Sequence, residues 1–374
     1  MNKLIACPFG ERYLLLRPDS DRGMRLSRGF YRELVQADTL DGPPPLWLID
    51  GARRSWNLDL SGTSVRESVI VRKETPLGIG RASYELNLGC NYECEHCYLG
   101  LKEFSGLDWV DRERLLYMMR DAGVVWLQLT GGEPMIDRFF PEVYGLAYDL
   151  GMMLDILTNG SRLANPRVLE LLTARPPHRV TVSVYGATEA TYDGLTRRRG
   201  SFRAFSKGLH AANEAGVPLD LTLIITRTNA HEESAMQAMA DHLGVPARRF
   251  ATISPTIYGG AETLAMQAPE HLTPRSPFTG CNAGKTFFHV DPHGMASICK
   301  VGRDPNVSLL AEGLDGLARL SGIADQLLRR QGGCTGCTLT ARCGTCMVLA
   351  TQYRKADAPL ISYCQHGRPK ENIA

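Results

Sequence analysis

Long apolar runs are missing from this chain: nowhere in its 374 residues does such a run reach the roughly 18 positions a membrane-spanning helix needs. The opening MNKLIACPFGERYLLLRPDS also lacks the continuous apolar segment and small-residue cleavage site of a secretory signal peptide. A cytoplasmic location with no membrane partner is therefore expected. Charge of one sign is equally scarce. Forty-two Lys and Arg against 40 Asp and Glu leave a net charge of +2, too little for sequence-independent nucleic-acid binding, so no nucleic-acid partner is expected. With 44% hydrophobic and 22% charged residues, the chain can bury one large core or two to three smaller ones. That composition excludes disorder, collagen-like structure and coiled coil as descriptions of the whole.

What the chain has in quantity is cysteine. Its length excludes a small secreted disulfide scaffold, yet ten of its 11 cysteines are clustered. Cys90, Cys94 and Cys97 form one group, Cys281 and Cys299 a second, and Cys334, Cys337, Cys343 and Cys346 a third with Cys364 following. Cys7 has no neighbour in spacing and reads as a small hydrophobe. In a reducing compartment such clustering points to metal. A zinc ribbon separates its two CxxC knuckles by roughly 15–20 residues. Here CTGC and CGTC are five residues apart, a crowding that favours iron–sulfur ligation over zinc.

Residues 84–100, YELNLGCNYECEHCYLG, read as an alternating strand ending at Gly89, then CxxxCxxC. A cubane held by three thiolates leaves one iron open to another ligand; a zinc site, or a carrier cluster with a distant fourth ligand, is the alternative. With His96 in the aromatic-type position, Cys90, Cys94 and Cys97 resemble the CxxxCxΦC signature of the radical S-adenosylmethionine (SAM) superfamily. Three further landmarks follow in that family's order. Gly131, Gly132, Glu133 and Pro134 resemble its GGEP segment, which receives the SAM amino group; glycines let backbone carbonyls approach an ammonium closely, with a carboxylate nearby. Thr158 and Asn159 of LDILTNG resemble the third strand end. Ser183 and Tyr185 of VTVSVYG resemble the fourth, where the family places a ribose-contacting hydroxyl. Taken singly these are ordinary turns and strand residues; in order and at strand ends they point to a SAM site.

From residue 82 to 256, apolar runs alternate with helix-like segments about every 30 residues, the pattern of βα units around a parallel sheet. Strands are predicted at 82–89, 124–130, 152–158, 179–185, 218–226 and 249–255, and all four motifs fall at or just after their C-terminal ends, where βα-barrel enzymes build active sites. The expected fold class is α/β: a partial (β/α)6 TIM-like barrel over 79–270, with a small cysteine-rich C-terminal iron–sulfur domain over 271–374 and a small N-terminal α+β module over 1–78. The run Arg197 to Arg199 reads as a solvated face, the other reading being that one of these arginines pairs with the SAM carboxylate.

The segment TGCNAGKTFFHVDPHGMASICK, then CTGCTLTARCGTC and YC, resembles the SPASM extension of radical SAM enzymes, with two residues instead of three between Cys343 and Cys346. That resemblance implies one auxiliary cluster on Cys334, Cys337, Cys343 and Cys364 and another on Cys281, Cys299 and Cys346, with the second open, otherwise ligated or smaller than a cubane. In all it implies SAM and three iron–sulfur clusters: one SAM-binding 4Fe–4S and two auxiliary ones, also of 4Fe–4S type. It implies an external electron donor of flavodoxin or ferredoxin type. The first 78 residues, with apolar YLLLRP, helix-like SRGFYRELVQA and PLWLID around DGPPP, suit either a winged-helix-like module that takes a leader peptide by strand addition or a packing extension. The implied activity is hydrogen abstraction by a 5′-deoxyadenosyl radical from a peptide or protein side chain, including ribosomally made precursors. The products would be a crosslink, a thioether or a dehydrogenated residue. The alternatives are a small-molecule substrate such as a sugar or porphyrin, or a non-catalytic iron–sulfur carrier. No catalytic acid or base is identified.

Overall fold

The structure, a computed structural model, describes residues 3–100, 102–273, 275–364 and 366. Its N-terminal part is a four-stranded sheet in the order β3-β2-β1-β4: β1 Leu4–Phe9, β2 Arg12–Leu16 and β3 Gly23–Leu26 run antiparallel, and β4 Val69–Val71 returns parallel to β1. Between β3 and β4 lie α1 Arg28–Thr39, α2 Leu46–Trp56 and the single turn α3 Val65–Ser68. Ser27 starts α1, its hydroxyl accepting the Phe30 N–H, the capping role its short polar side chain suits. Side chains alternate along β1. Leu4 and Ala6 face Leu34, Leu48 and Ala52 of the helices, whereas Ile5 and Cys7 pack with Leu16 on Val125 and Met153 of the barrel. Cys7 is a fully buried apolar contact, its thiol pushed up to about 12 by burial.

The barrel strands are β5 Arg81–Glu85, β6 Trp126–Thr130, β7 Met153–Thr158, β8 Arg179–Val184, β9 Leu219–Ile224 and β10 Ala247–Phe250, all parallel and adjacent in sequence order. Helices α4 Trp109–Ala122, α5 Phe140–Asp149, α6 Pro166–Ala174, α7 Glu189–Thr196, α8 Ser201–Glu214 and α9 Glu233–Leu243 cover the sheet. Gly123 ends α4 and Gly244 ends α9, both at positive φ, where a glycine carries no steric cost. The first strand is shorter than predicted for a specific reason. Beyond Glu85 its carbonyls leave the ladder: Asn87 O accepts the Gly132 N–H and Gly89 O accepts the Glu133 N–H, so the chain turns to meet the loop after β6.

The sheet does not stop at six strands. β11 Phe287–Val290 adds parallel to β5, followed by β12 Met295–Ser297 and β13 Val307–Ser308, giving nine strands in the order β10-β9-β8-β7-β6-β5-β11-β12-β13. Helices α10 Leu309–Ala318, α11 Leu320–Leu327 and α12 Met347–Lys355 follow, and Phe288, Val290, Leu317 and Val348 share one continuous core with Tyr84, Leu127 and Val182. Among the described residues, no helix is long and apolar enough to cross a membrane.

A candidate cofactor site at the strand ends

The loop after β6 is shaped by backbone proximity. Gly131 has φ +126°, and a Cβ there would lie 2.1 Å from Asn87 O; one on Gly132 would lie 1.9 Å from Gly89 O. Only glycine fits either place. Glu133 follows, and its carboxylate turns inward, fully buried: Thr158 donates its hydroxyl to both oxygens at 2.8 and 2.9 Å, and the Asn159 and Met135 N–H groups donate at 2.7 and 3.1 Å. Burial nevertheless pushes the carboxyl up to about 7 against these donors. Glu133 thus ties the end of β6 to the end of β7. The clamp is extended by Arg112, whose guanidinium meets Asp137 at 3.0 Å in a nearly fully buried pair while Asn87 donates to the same carboxylate.

In front of this loop lies a cavity of about 440 Å³, within the range of small-molecule and cofactor sites. Its wall brings together Cys90, Cys94, His96 and Cys97 from the loop after β5, Gly131 and Gly132 after β6, Thr158 and Asn159 at the end of β7, and Ser183 and Tyr185 at the end of β8. Glu133 and Pro134 are not on that wall; both are buried behind it. The arginine run is elsewhere. Arg197 is exposed and pairs with Glu95 at 2.6 Å, and Arg198 and Arg199 are exposed, so the solvated-face reading holds.

Burial pushes the Cys90 thiol up to about 11, with the Glu133 carboxylate adding, and raises Cys94 further, with Cys97 and Cys90 adding. Thiols in such a place become thiolates only when a cation compensates them. The Tyr92 N–H already points at Cys90 Sγ, 3.4 Å away. His96 stacks at a tilt on Tyr185, centroids 5.2 Å apart, and its buried Nδ1 has no partner among the described residues. Burial and the Lys102 cation hold that imidazole neutral, at about 4. Among the described residues no three His, Cys, Asp or Glu side chains converge tightly enough to hold a single ion. Each thiolate of a polynuclear cluster binds its own iron, so this donor set fits an iron–sulfur cluster better than a lone zinc.

The C-terminal cysteines lie in two neighbourhoods. Burial raises the Cys299 thiol, and Cys346 and Cys281 are close enough to raise it further; the Gly302 and Ala283 N–H groups point at Cys299 and Cys281 sulfurs at 3.2 and 3.4 Å. Cys334 and Cys337 share a turn, and Cys343 is buried beside the Arg330 guanidinium, 3.7 Å from its sulfur. Thr345 joins this run to the segment of Cys364 by donating to Tyr363 O.

Other wall residues were not foreseen: Lys102, Thr181, Thr222, Phe250, Thr252, Ser254 and Lys300. The pairs Thr181/Ser183 and Thr222/Ile224 carried a signal, two-residue spacing at strand C-termini. Lys300 carried none, because only tertiary contact brings the loop after β12 to the barrel mouth.

Residues 84–239 match the model of the Radical SAM superfamily. The AdoMet-dependent heme synthase of Methanosarcina barkeri is 28% identical over 178 residues, 46% of this chain and 50% of that protein. Mycofactocin maturase MftC of Mycobacterium ulcerans is 26% identical over 240 residues, 59% of this chain and 63% of its own length. The chain spans about half the length of the first curated relatives it matches. Among solved structures, Streptococcus suis SuiB bound to S-adenosylmethionine superposes with a TM-score of 0.57 at 14% identity, covering 92% of this chain and 94% of SuiB, a likeness of fold. The strand-end landmarks, the parallel sheet and the family match agree on one conclusion: residues 84–239 form a radical SAM domain.

Proposed function

We propose that this chain is a radical SAM enzyme acting on a peptide or protein side chain, leaving a crosslink, a thioether or a dehydrogenated residue. The observation that carries this reading is the convergence of three thiols, a glycine-edged loop and the ends of β7 and β8 on one cavity. When bound there, SAM and a reduced 4Fe–4S cluster would supply the one-electron radical chemistry needed to take hydrogen from an unactivated carbon. The residues of the chain have the remaining tasks. Cys90, Cys94 and Cys97 hold the cluster. Gly131 and Gly132 would offer backbone to the SAM ammonium, Asn159 orients the loop by bridging Asn91 and Ser161, and Ser183 and Tyr185 would receive the ribose. His96 packs on Tyr185 at the edge of the site. Glu133, Pro134 and Thr158 shape the loop from behind. Cys334, Cys337, Cys343 and Cys364, and Cys281, Cys299 and Cys346, hold two auxiliary clusters in a SPASM-like region.

A peptide substrate is supported by the maturase among the relatives and by the shared fold of SuiB, which has been solved bound to the precursor peptide SuiA. Among the described residues β3 is an edge strand of its sheet, the place where an added strand would let residues 1–78 take a leader. A small-molecule substrate is the second reading, favoured by the heme synthase among the relatives. In the cell a flavodoxin or ferredoxin would deliver the electrons.

The test is anaerobic reconstitution with iron and sulfide, then dithionite and SAM. 5′-Deoxyadenosine is expected from the wild type and none from C94A. Intact clusters without cleavage would leave an electron carrier as the function.

A further inference from the structure

The wall of the cavity changes character across the sheet. On the β5–β7 side it carries the thiols, the glycines and Asn159 with Thr130 and Thr158; on the β8–β10 side, beyond Ser183 and Tyr185 and beside apolar Ile224, Phe250 and Ile253, it carries Thr181, Thr222, Thr252 and Ser254, with Lys300 reaching the same cavity. None of these four hydroxyls, nor Lys300 Nζ, has a hydrogen-bond or ion-pair partner among the described residues. The other lysine of the wall, Lys102, donates to Tyr92 O at 2.7 Å. Glu85, the carboxylate near Lys300, has both oxygens occupied by Arg303, at 2.9 and 2.8 Å. Among the described residues no Asp or Glu lines the cavity.

We infer that the β8–β10 side with Lys300 is a carboxylate-recognising subsite: the part of the substrate that enters it bears an acidic side chain or a terminal carboxylate. Lys300 pairs with that carboxylate, and free hydroxyls of the wall donate to it. An ammonium or guanidinium brought there would meet a like charge, and the nearby Glu85 carboxylate is already paired with Arg303, in a volume where water screens poorly. A neutral amide would satisfy the hydroxyls but leave the lysine desolvated and unpaired. The purpose of the subsite rests on the radical SAM reading above, but its preference can be measured without turnover.

The experiment titrates three probes of similar length, N-acetyl-glutamate amide, N-acetyl-glutamine amide and N-acetyl-lysine amide, calorimetrically into the reconstituted full chain with SAM bound. Charge-assisted hydrogen bonds predict that the glutamate probe binds about tenfold or more tighter than the glutamine probe, with the lysine probe weakest. K300Q should erase that preference and K300R should keep most of it, which separates lost charge from a misfolded loop. Equal binding of the three probes by the wild type, or a preference that survives K300Q, overturns the inference. So does a K300Q variant that loses SAM affinity while the probe ranking persists, because that outcome assigns Lys300 to the SAM carboxylate. Failure of the wild type to cleave SAM would sink the proposed function yet leave the probe ranking readable.

Discussion

Arg303→Met removes the one guanidinium that meets both oxygens of Glu85, a carboxylate with no solvent exposure at the end of β5. His289, also fully buried, stands 3.4 Å from the same carboxylate and is held from behind by Ser83 at 2.8 Å. Burial alone would raise the Glu85 carboxyl; His289 and Arg303 outweigh it and hold the group at about 2, against an ordinary 4.5. A carboxylate depressed that far stabilises the fold by about 3 kcal/mol at neutral pH. The folded value lies below the unfolded one, so the contribution is complete above pH 4.5 and is lost as pH falls from there toward 2. Without Arg303 the buried charge keeps His289 as its partner but loses its guanidinium, and a loss of about 3–5 kcal/mol is expected at pH 7. The deficit relative to wild type should shrink at pH 5, where the stranded carboxyl takes up a proton, and E85Q/R303M should recover much of it by removing the charge. The assay is anaerobic urea denaturation at the two pH values. A variant within about 0.5 kcal/mol of wild type at pH 7, the scatter of an ordinary surface substitution, would refute the reasoning. So would a deficit unchanged at pH 5. Arg303 Nε also donates to Lys300 O at 2.9 Å, so the same change should loosen the loop that carries Cys299.

Three further outcomes are expected. Gly132→Ala places a methyl 1.9 Å from Gly89 O and should cost about 1–3 kcal/mol, with a larger loss of SAM affinity than of thermal stability, read by equilibrium binding and melting. Thr158→Val removes the hydroxyl shared by both Glu133 oxygens and should cost about 1–3 kcal/mol. Because Glu133 sits at about 7, raised above 4.5, its contribution is complete below pH 4.5 and lost as pH rises through 7; the variant should extend that loss upward, and a melting profile unchanged in pH dependence would contradict this. Cys364→Ala should lower iron from the roughly twelve per chain expected of three cubanes, spare 5′-deoxyadenosine formation and block product; retained product would remove any role for a cluster on Cys334, Cys337, Cys343 and Cys364.

The motif at Cys90, Cys94 and Cys97, the glycine pair and the strand ends at Thr158 and Ser183 were legible because each is local, fixed by a few consecutive residues and a turn. Glu133 shows the limit of that reading. Sequence places its carboxylate beside the glycines and thus beside an ammonium; the structure turns it inward to Thr158 and Asn159, because only the fold decides which face of a strand end holds unsatisfied N–H donors.

Period and spacing alone therefore determined the six parallel strands with the helices between them and the cysteine groups, since helix and strand periodicity and ligand spacing are properties of short segments. The addition of β11 to β5, the buried meeting of Glu85 with Arg303, and the arrival of Lys300 at the cavity join residues some 200 positions apart. Such contacts form where two surfaces happen to complement one another, and no pattern within either segment records them.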